Sequence, residues 1–365
     1  MPDATRIATH VSPSAQRSDT FTIGMIVPMQ GPAGIFGPSC EAVAATAVAQ
    51  LNERGLRGQQ VDIELIDGGA TSERVAADVR RLLDAGRIDA VTGWHISAVR
   101  HSVAPVTLGR IPYVYTSLYE GGEQRPGVVC TGETPLQQVA PALRWLRDQL
   151  GVRRWYIVGD DYVWPRLSSK ATVEFARALD LRLSGSTYVP LGSPSGFATV
   201  VRDIAGTDAQ GVLMYLVGQD AVRFNRAMAS AGLDERLVRY SPLMEENMLI
   251  ASGANATRNL FVSAAYFRSL ATRGALDLNA AYVRANGPDA PPLNNAAESC
   301  YEGVMTLAAL VESADSTDVR TIVAHADGVG FDGPRGPTSW EGGLMRQHVY
   351  LATADGFDFD VLTRL

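Results

Sequence analysis

Lysine is nearly absent. Of the 32 basic residues in this 365-residue chain only Lys170 is lysine. Amine chemistry of the Schiff-base kind therefore has a single candidate, and Lys170 sits in a helical stretch with no motif around it. Cysteine is also scarce. Cys40, Cys130 and Cys300 are far apart and odd in number, with no C-x-x-C, which excludes a zinc ribbon or a disulfide framework and leaves buried free thiols as the expectation. The net charge of −7 comes without a basic stripe to neutralise phosphates, so nucleic-acid binding is excluded. No run is apolar for long enough to span a membrane. Residues 1–20 are polar and lack an apolar core after a basic start, so no secretory leader is read in the chain as written. They are expected to form a disordered tail. That reading places the protein in the cytoplasm, or outside it if a leader has been removed.

Signatures of catalysis are missing as well. There is no G-x-x-x-x-G-K-[ST], no H-E-x-x-H and no G-x-G-x-x-G. Gly192-Ser193-Pro194-Ser195-Gly196 imitates a nucleophile elbow, but Pro194 occupies the place of the serine. His10, His95, His101, His325 and His348 form no metal-ligand spacing. No catalytic residue, metal or cofactor is expected.

What the chain has is rhythm. Hydrophobic strand-like runs alternate with helical stretches from Phe21 to Leu150 and again from Trp155 to Ala251, which implies right-handed βαβ crossovers and parallel sheets. Two such runs in a chain of this length predict two similar lobes. After a strand at 259–267 the rhythm breaks into helices. The end, 331–365, is glycine-rich and β-like, with Asp355-Gly356 as a hairpin signal.

In open α/β sheets ligands sit outside the carboxyl ends of the strands. At those ends fall His95 and Ser97, then Tyr115 and Ser117, then Tyr162 and Trp164, then Gly218, then Met244 and Glu245. Hydroxyls, a ring nitrogen, aromatic faces and helix N-terminal amides within an apolar wall suit a small polar ligand. Each residue has a plainer reading. Ser97 can be a helix N-cap, His95 a satisfied buried histidine, and Tyr115 ordinary strand packing. Tyr162 and Trp164 can cap a core, and Glu245 and Glu246 can be first-turn acids at a helix dipole.

The stretch Gly159-Asp160-Asp161-Tyr162-Val163-Trp164-Pro165-Arg166, with Tyr119-Glu120-Gly121, Thr134-Pro135-Leu136-Gln137-Gln138 and Phe331-Asp332-Gly333-Pro334-Arg335-Gly336-Pro337, resembles the type 1 periplasmic-binding-protein family, in its urea and short-chain-amide branch. The resemblance runs from Phe21 nearly to the end. It implies two Rossmann-like α/β lobes of parallel sheets flanked by helices, with a ligand cleft between them. The lobes are expected at 21–138 plus 267–332 and at 139–266 plus 333–365, with crossings near 134–141, 263–268 and 332–338. Ser97, Tyr115, Ser117, Tyr162 and Trp164 match the family's ligand positions. Trp94, His95, Leu118, Met244 and Glu245 depart from the pattern and allow a larger or amine-bearing ligand than acetamide or urea. The implied function is non-catalytic binding of an amide, urea or amino-acid-like molecule. The implied partner is an ABC permease, or an antiterminator-type regulator if the protein is a cytosolic amide sensor; a homodimer is compatible with either.

Overall fold

The computed structural model describes residues 19–365. Of the expected tail, residues 1–18 lie outside the described residues, and Thr20 already belongs to the first strand. The first unit runs β1 (Thr20–Val27), α1 (Gly37–Asn52), β2 (Gln60–Asp67), α2 (Ser72–Asp84), β3 (Ala90–Gly93), α3 (Ser97–Thr107), β4 (Tyr113–Tyr115) and β5 (Val128–Cys130). Its five strands are parallel in the order β2-β1-β3-β4-β5. β3, β4 and β5 are buried throughout, as strands covered by helices on both faces must be, and so they read as continuous apolar runs.

The chain then enters α4 (Pro135–Leu150). Thr134 and Gln137 form a capping box at its start, with the Thr134 N–H donating to Gln137 Oε1 at 3.0 Å, and Gly151 closes it in the left-handed conformation. The second unit follows: β6 (Arg154–Asp160), α5 (Val163–Ala178), β7 (Arg182–Val189), α6 (Phe197–Ala205), β8 (Gly211–Tyr215), α7 (Gln219–Ser230), β9 (Val238–Ser241), α8 (Glu246–Ser252) and β10 (Leu260–Ala264). These strands are parallel in the order β7-β6-β8-β9-β10.

Next come α9 (Arg273–Asn286), α10 (Asn295–Ser313), α11 (Val319–Ala324) and a small antiparallel sheet of β11 (Gly330–Gly333), β12 (Gly336–Glu341) and β13 (Leu344–Arg346). α10 packs along α1 and under β3 and β4, so it belongs to the first lobe. The last strands, β14 (Tyr350–Asp355) and β15 (Asp358–Arg364), form the hairpin expected at Asp355-Gly356 and extend the second sheet antiparallel to β10.

The chain therefore passes between the two sheets three times. The third passage differs from the expectation near 332–338. β11 contacts α9 and α10 and β13 contacts β5, so the chain stays with the first lobe until Arg346 and crosses only at 347–349. A glycine-rich hairpin looks the same in sequence whichever lobe it leans on.

The passages are laced together. Glu133 takes the Ala265 N–H at 2.6 Å, joining the first to the second. The Gln347 amide donates to Thr131 O at 3.0 Å, joining the third to the first. Arg335, buried, donates to Gln347 at 2.8 Å and pairs with Glu298 and Glu302 of α10. Gln138, buried in the first turn of α4, donates its amide to Pro242 O at 2.7 Å and to Ser263 O. Gln138→Leu keeps the volume and abandons both carbonyls. The expected loss is about 1–3 kcal/mol per carbonyl, read as a lower midpoint in urea denaturation. An unchanged midpoint would show that the carbonyls find other donors.

Candidate functional site

The carboxyl ends of both parallel sheets face one another across a cleft. Trp94, His95, Ile96, Ser97, Tyr115, Ser117 and Leu118 come from the first lobe, and Tyr162, Trp164 and Leu243 from the second; together they enclose a cavity of about 10 Å³. That is room for about one water. Next to it, sharing Ile96 and Tyr162, a mouth of about 250 Å³ opens between Pro32, Gly69, Thr71, Ala98, Leu191 and Val217. The half-buried Tyr162 ring stands between the two spaces.

The sequence places Tyr162 and Trp164 on an extended turn; the structure puts only Tyr162 there. It is the N-cap of α5 in an extended conformation, and Trp164 is already in the helix, with Pro165 in its first turn. Their rings lie 6.3 Å apart, tilted by 42°. Trp164 is buried edge-on against Tyr215 at 5.5 Å, so its indole is part of the second-lobe core as well as of the cavity wall.

On the first lobe the polar groups are tightly engaged. Both ring nitrogens of His95 face the sheet, Nε2 meeting Tyr113 Oη at 2.5 Å and Nδ1 lying 3.3 Å from Ile26 O. Burial drives its pKa down to about 3, so the ring is neutral. The plainer reading, a satisfied buried histidine, holds for the ring, although the residue lines the cavity. Ser117 closes on the His95 main chain, accepting its N–H at 3.0 Å and donating to its carbonyl at 2.8 Å. Tyr115 donates to the same carbonyl at 2.9 Å. Ser97 is the first residue of α3 rather than its N-cap, which is Ile96. Its hydroxyl donates to Glu120 Oε2 at 2.7 Å. Burial acts to raise the Glu120 pKa, but the His101 and Ser97 hydrogen bonds and the Arg100 charge lower it to about 2.

Three expected residues stay out of the cavity wall. Gly218 meets the other lobe: a Cβ on it would lie 2.0 Å from Pro32 O. Met244 is buried, with its sulfur 3.7 Å from the Asn225 amide. Glu245 reaches across the cleft to the start of α10, where its carboxylate takes the Ala296 N–H at 3.3 Å; burial and the neighbouring Glu246 raise its pKa well above the usual range. Sequence places all three at strand ends, but not which way the chain turns there. Ile96 and Leu243 were missed, because an apolar residue at a strand end carries no chemical signal. Glu120 stood in a recognised motif without a role.

The second-lobe loops are tied from below. Asp160 takes the Val217 N–H at 2.7 Å, and Asp220 takes the Gly192 N–H at 2.6 Å. Burial and the neighbouring Asp220 charge push the Asp160 carboxyl well up. The loops after β6, β7 and β8 thus move as a block.

Two α/β lobes joined by three passages, with side chains from both closing one cavity, define a two-lobe binding protein. A family model described as periplasmic binding protein matches residues 20–358, and the chain belongs to that family. It is a non-catalytic binding protein. Solved structures share the fold. A solute-binding protein of an ABC transporter from R. palustris, in complex with 4-hydroxybenzoate, is 18% identical, covering 95% of this chain and 97% of its own with a TM-score of 0.86. The branched-chain amino acid transporter substrate-binding protein LivJ from Streptococcus pneumoniae, in complex with isoleucine, is 17% identical over 94% of this chain and 98% of its own, with a TM-score of 0.82. A periplasmic binding protein from Burkholderia mallei is 20% identical over 96% and 95%, with a TM-score of 0.85.

Gly218→Ala should hold the lobes apart, because the added Cβ meets backbone that cannot yield. Scattering should give a larger radius of gyration than the parent, and ligand binding should weaken roughly tenfold or more. An unchanged radius would show that the Pro32 contact does not govern closure. Glu246, buried at the start of α8, is pushed up from 4.5 to about 7, chiefly by burial and against the Arg268 N–H that it accepts. Its folded pKa lies above the unfolded one, so the folded state holds the proton longer. The stability this confers is complete below pH 4.5 and is lost as pH rises to about 7. Glu246→Gln should remove a slope of about 1.4 kcal/mol per pH unit across that window, read by denaturation at stepped pH. An equal slope in the variant would assign the dependence to other groups.

Proposed function

We propose that the protein is the substrate-binding component of an ABC transporter, that it closes its two lobes on an amide or amino-acid-like molecule with a compact apolar body, and that it hands this molecule to a membrane permease. The observation that carries the reading is the small cavity walled by both lobes at the facing carboxyl ends of their sheets. Trp94, Ile96, Leu118, Tyr162, Trp164 and Leu243 would hold the apolar body, and Ser97, Tyr115 and the first amides of α3 the polar end. Helices α2, α3, α5 and α7 all begin at the carboxyl edges of the parallel sheets and favour the carbonyl oxygen of such a molecule there. The solved relatives support the class: 4-hydroxybenzoate and isoleucine both combine a compact apolar body with a polar end. A guest larger than one water requires the lobes to part and close again, a hinge motion at the three passages. The lobe boundaries then follow the passages at 131–134, 265–272 and 347–349 rather than the hairpin.

A thermal-shift screen of amides, ureas, amino acids and aromatic acids should find at least one compound that raises the melting temperature, since a ligand bound only by the folded state stabilises it. Tyr162→Ala should then weaken that compound roughly tenfold to a hundredfold in calorimetric titration with little loss of stability. Trp164 is less suitable for this test, because removing an indole packed on Tyr215 costs about 3–5 kcal/mol by itself. Native affinity in Tyr162→Ala would remove the cavity between Ile96 and Tyr162 as the binding site.

A further inference from the structure

Glu120 has two oxygens and both are committed. Oε2 accepts the Ser97 hydroxyl at 2.7 Å, and Oε1 accepts Arg100 Nη2–H at 2.6 Å with His101 Nε2 at 3.0 Å. Arg100 is itself fixed. It is buried over the rings of Tyr115 at 4.9 Å and Tyr119 at 5.1 Å, and lies 3.2 Å from Glu123. A carboxylate ion accepts and cannot donate. A serine hydroxyl has one hydrogen, so the hydrogen of Ser97 goes to Glu120. The single hydrogen of Tyr115 goes to the His95 carbonyl at 2.9 Å, and that of Ser117 to the same oxygen at 2.8 Å. None of the three first-lobe hydroxyls in the cavity wall has a hydrogen left for a guest; the fourth hydroxyl there, that of Tyr162, comes from the second lobe. Ser117 also spends a lone pair on the His95 N–H at 3.0 Å, whereas Ser97 and Tyr115, whose hydroxyl oxygens lie 3.4 Å apart, still have lone pairs to offer.

We infer that Glu120 is a positioning residue that turns the Ser97 hydrogen away from the cleft, so that Ser97 and Tyr115 meet the ligand as acceptors and select molecules bringing an N–H or O–H donor over carboxylates of the same shape. The inference rests on the binding reading above and names the chemistry that reading leaves open. Amides, ammonium groups and phenols satisfy the acceptor pair. A carboxylate set against it places oxygen lone pairs against oxygen lone pairs, and the buried acceptors go unpaired.

Two measurements test this. Neutron diffraction from crystals of the full chain should place the Ser97 deuteron on the line from Oγ to Glu120 Oε2; a deuteron directed into the cavity overturns the inference, whatever binds. Calorimetric titration with matched pairs, benzamide against benzoate and acetamide against acetate, should show the amide of a bound pair about tenfold tighter. A carboxylate that binds as tightly as its amide overturns it. In Glu120→Gln the new amide can donate to Ser97, the hydroxyl is free to turn, and the amide-to-carboxylate ratio should fall toward one. A ratio unchanged in that variant overturns the role of Glu120, and a lowered melting temperature does not bear on it. Ser97→Ala keeps the Arg100–Glu120 pair and should lose the same preference; it serves if Glu120→Gln fails to fold. If no member of either pair binds while the deuteron lies toward Glu120, the ligand class proposed above falls and the proton assignment stands.

Discussion

The buried charge of Arg335 is the constraint from which the two-lobe arrangement follows. It is fully enclosed, and desolvating a guanidinium costs several kcal/mol unless its donors are met. Glu298 and Glu302, one helical turn apart on α10, supply the counter-charge, and Gln347 supplies a further acceptor at 2.8 Å. Burial raises both glutamates, and the Arg335 charge between them works against that rise. Without Arg335 the two carboxyls would face each other across a dry interface. The cluster joins a first-lobe helix to the third passage, and Glu133, Thr131 and Gln347 bind that passage to the other two. The links between the sheets therefore behave as one belt rather than as three loose strands.

From that belt the cleft follows by geometry. Parallel strands with helical returns put every helix start at one edge of each sheet, and the belt sets those edges face to face. On the second lobe Asp160 and Asp220 gather three loops into a block; on the first, His95, Tyr115 and Ser117 knit the ends of β3 and β4 through one main-chain carbonyl. Each wall is thus tied together by its own hydrogen bonds without any guest, an arrangement that lowers the ordering cost of binding. What is left to move is the belt.

Much of this was legible in the sequence, for identifiable reasons. β3, β4 and β5 are short apolar runs because both faces of the sheet are covered, and the Asp355-Gly356 turn needed only local chemistry. Six of nine expected site residues line the cavity because strand ends in a parallel sheet share an edge. The failures share a cause too. Gly218, Met244 and Glu245 also sit at that edge, but their directions depend on the opposite lobe, which no local pattern encodes. His95 offered a polar ring whose partners, Ile26 and Tyr113, lie 69 and 18 residues away. The hairpin at 330–346 carried no sign of which lobe it would lean on. Long-range partners, not propensities, decided each of these.

The near-absence of lysine has a practical side. Lys170 is exposed on α5, the helix that Tyr162 caps at the cleft, and all three cysteines are buried. Amine-directed reagents thus find one side chain on the second lobe, while thiol-directed ones find no exposed native target among the described residues. A dye attached to Lys170 and a second on a cysteine introduced into the first lobe would form a two-colour pair without removal of any native residue. The opening and closing of single molecules could then be followed by energy transfer between them.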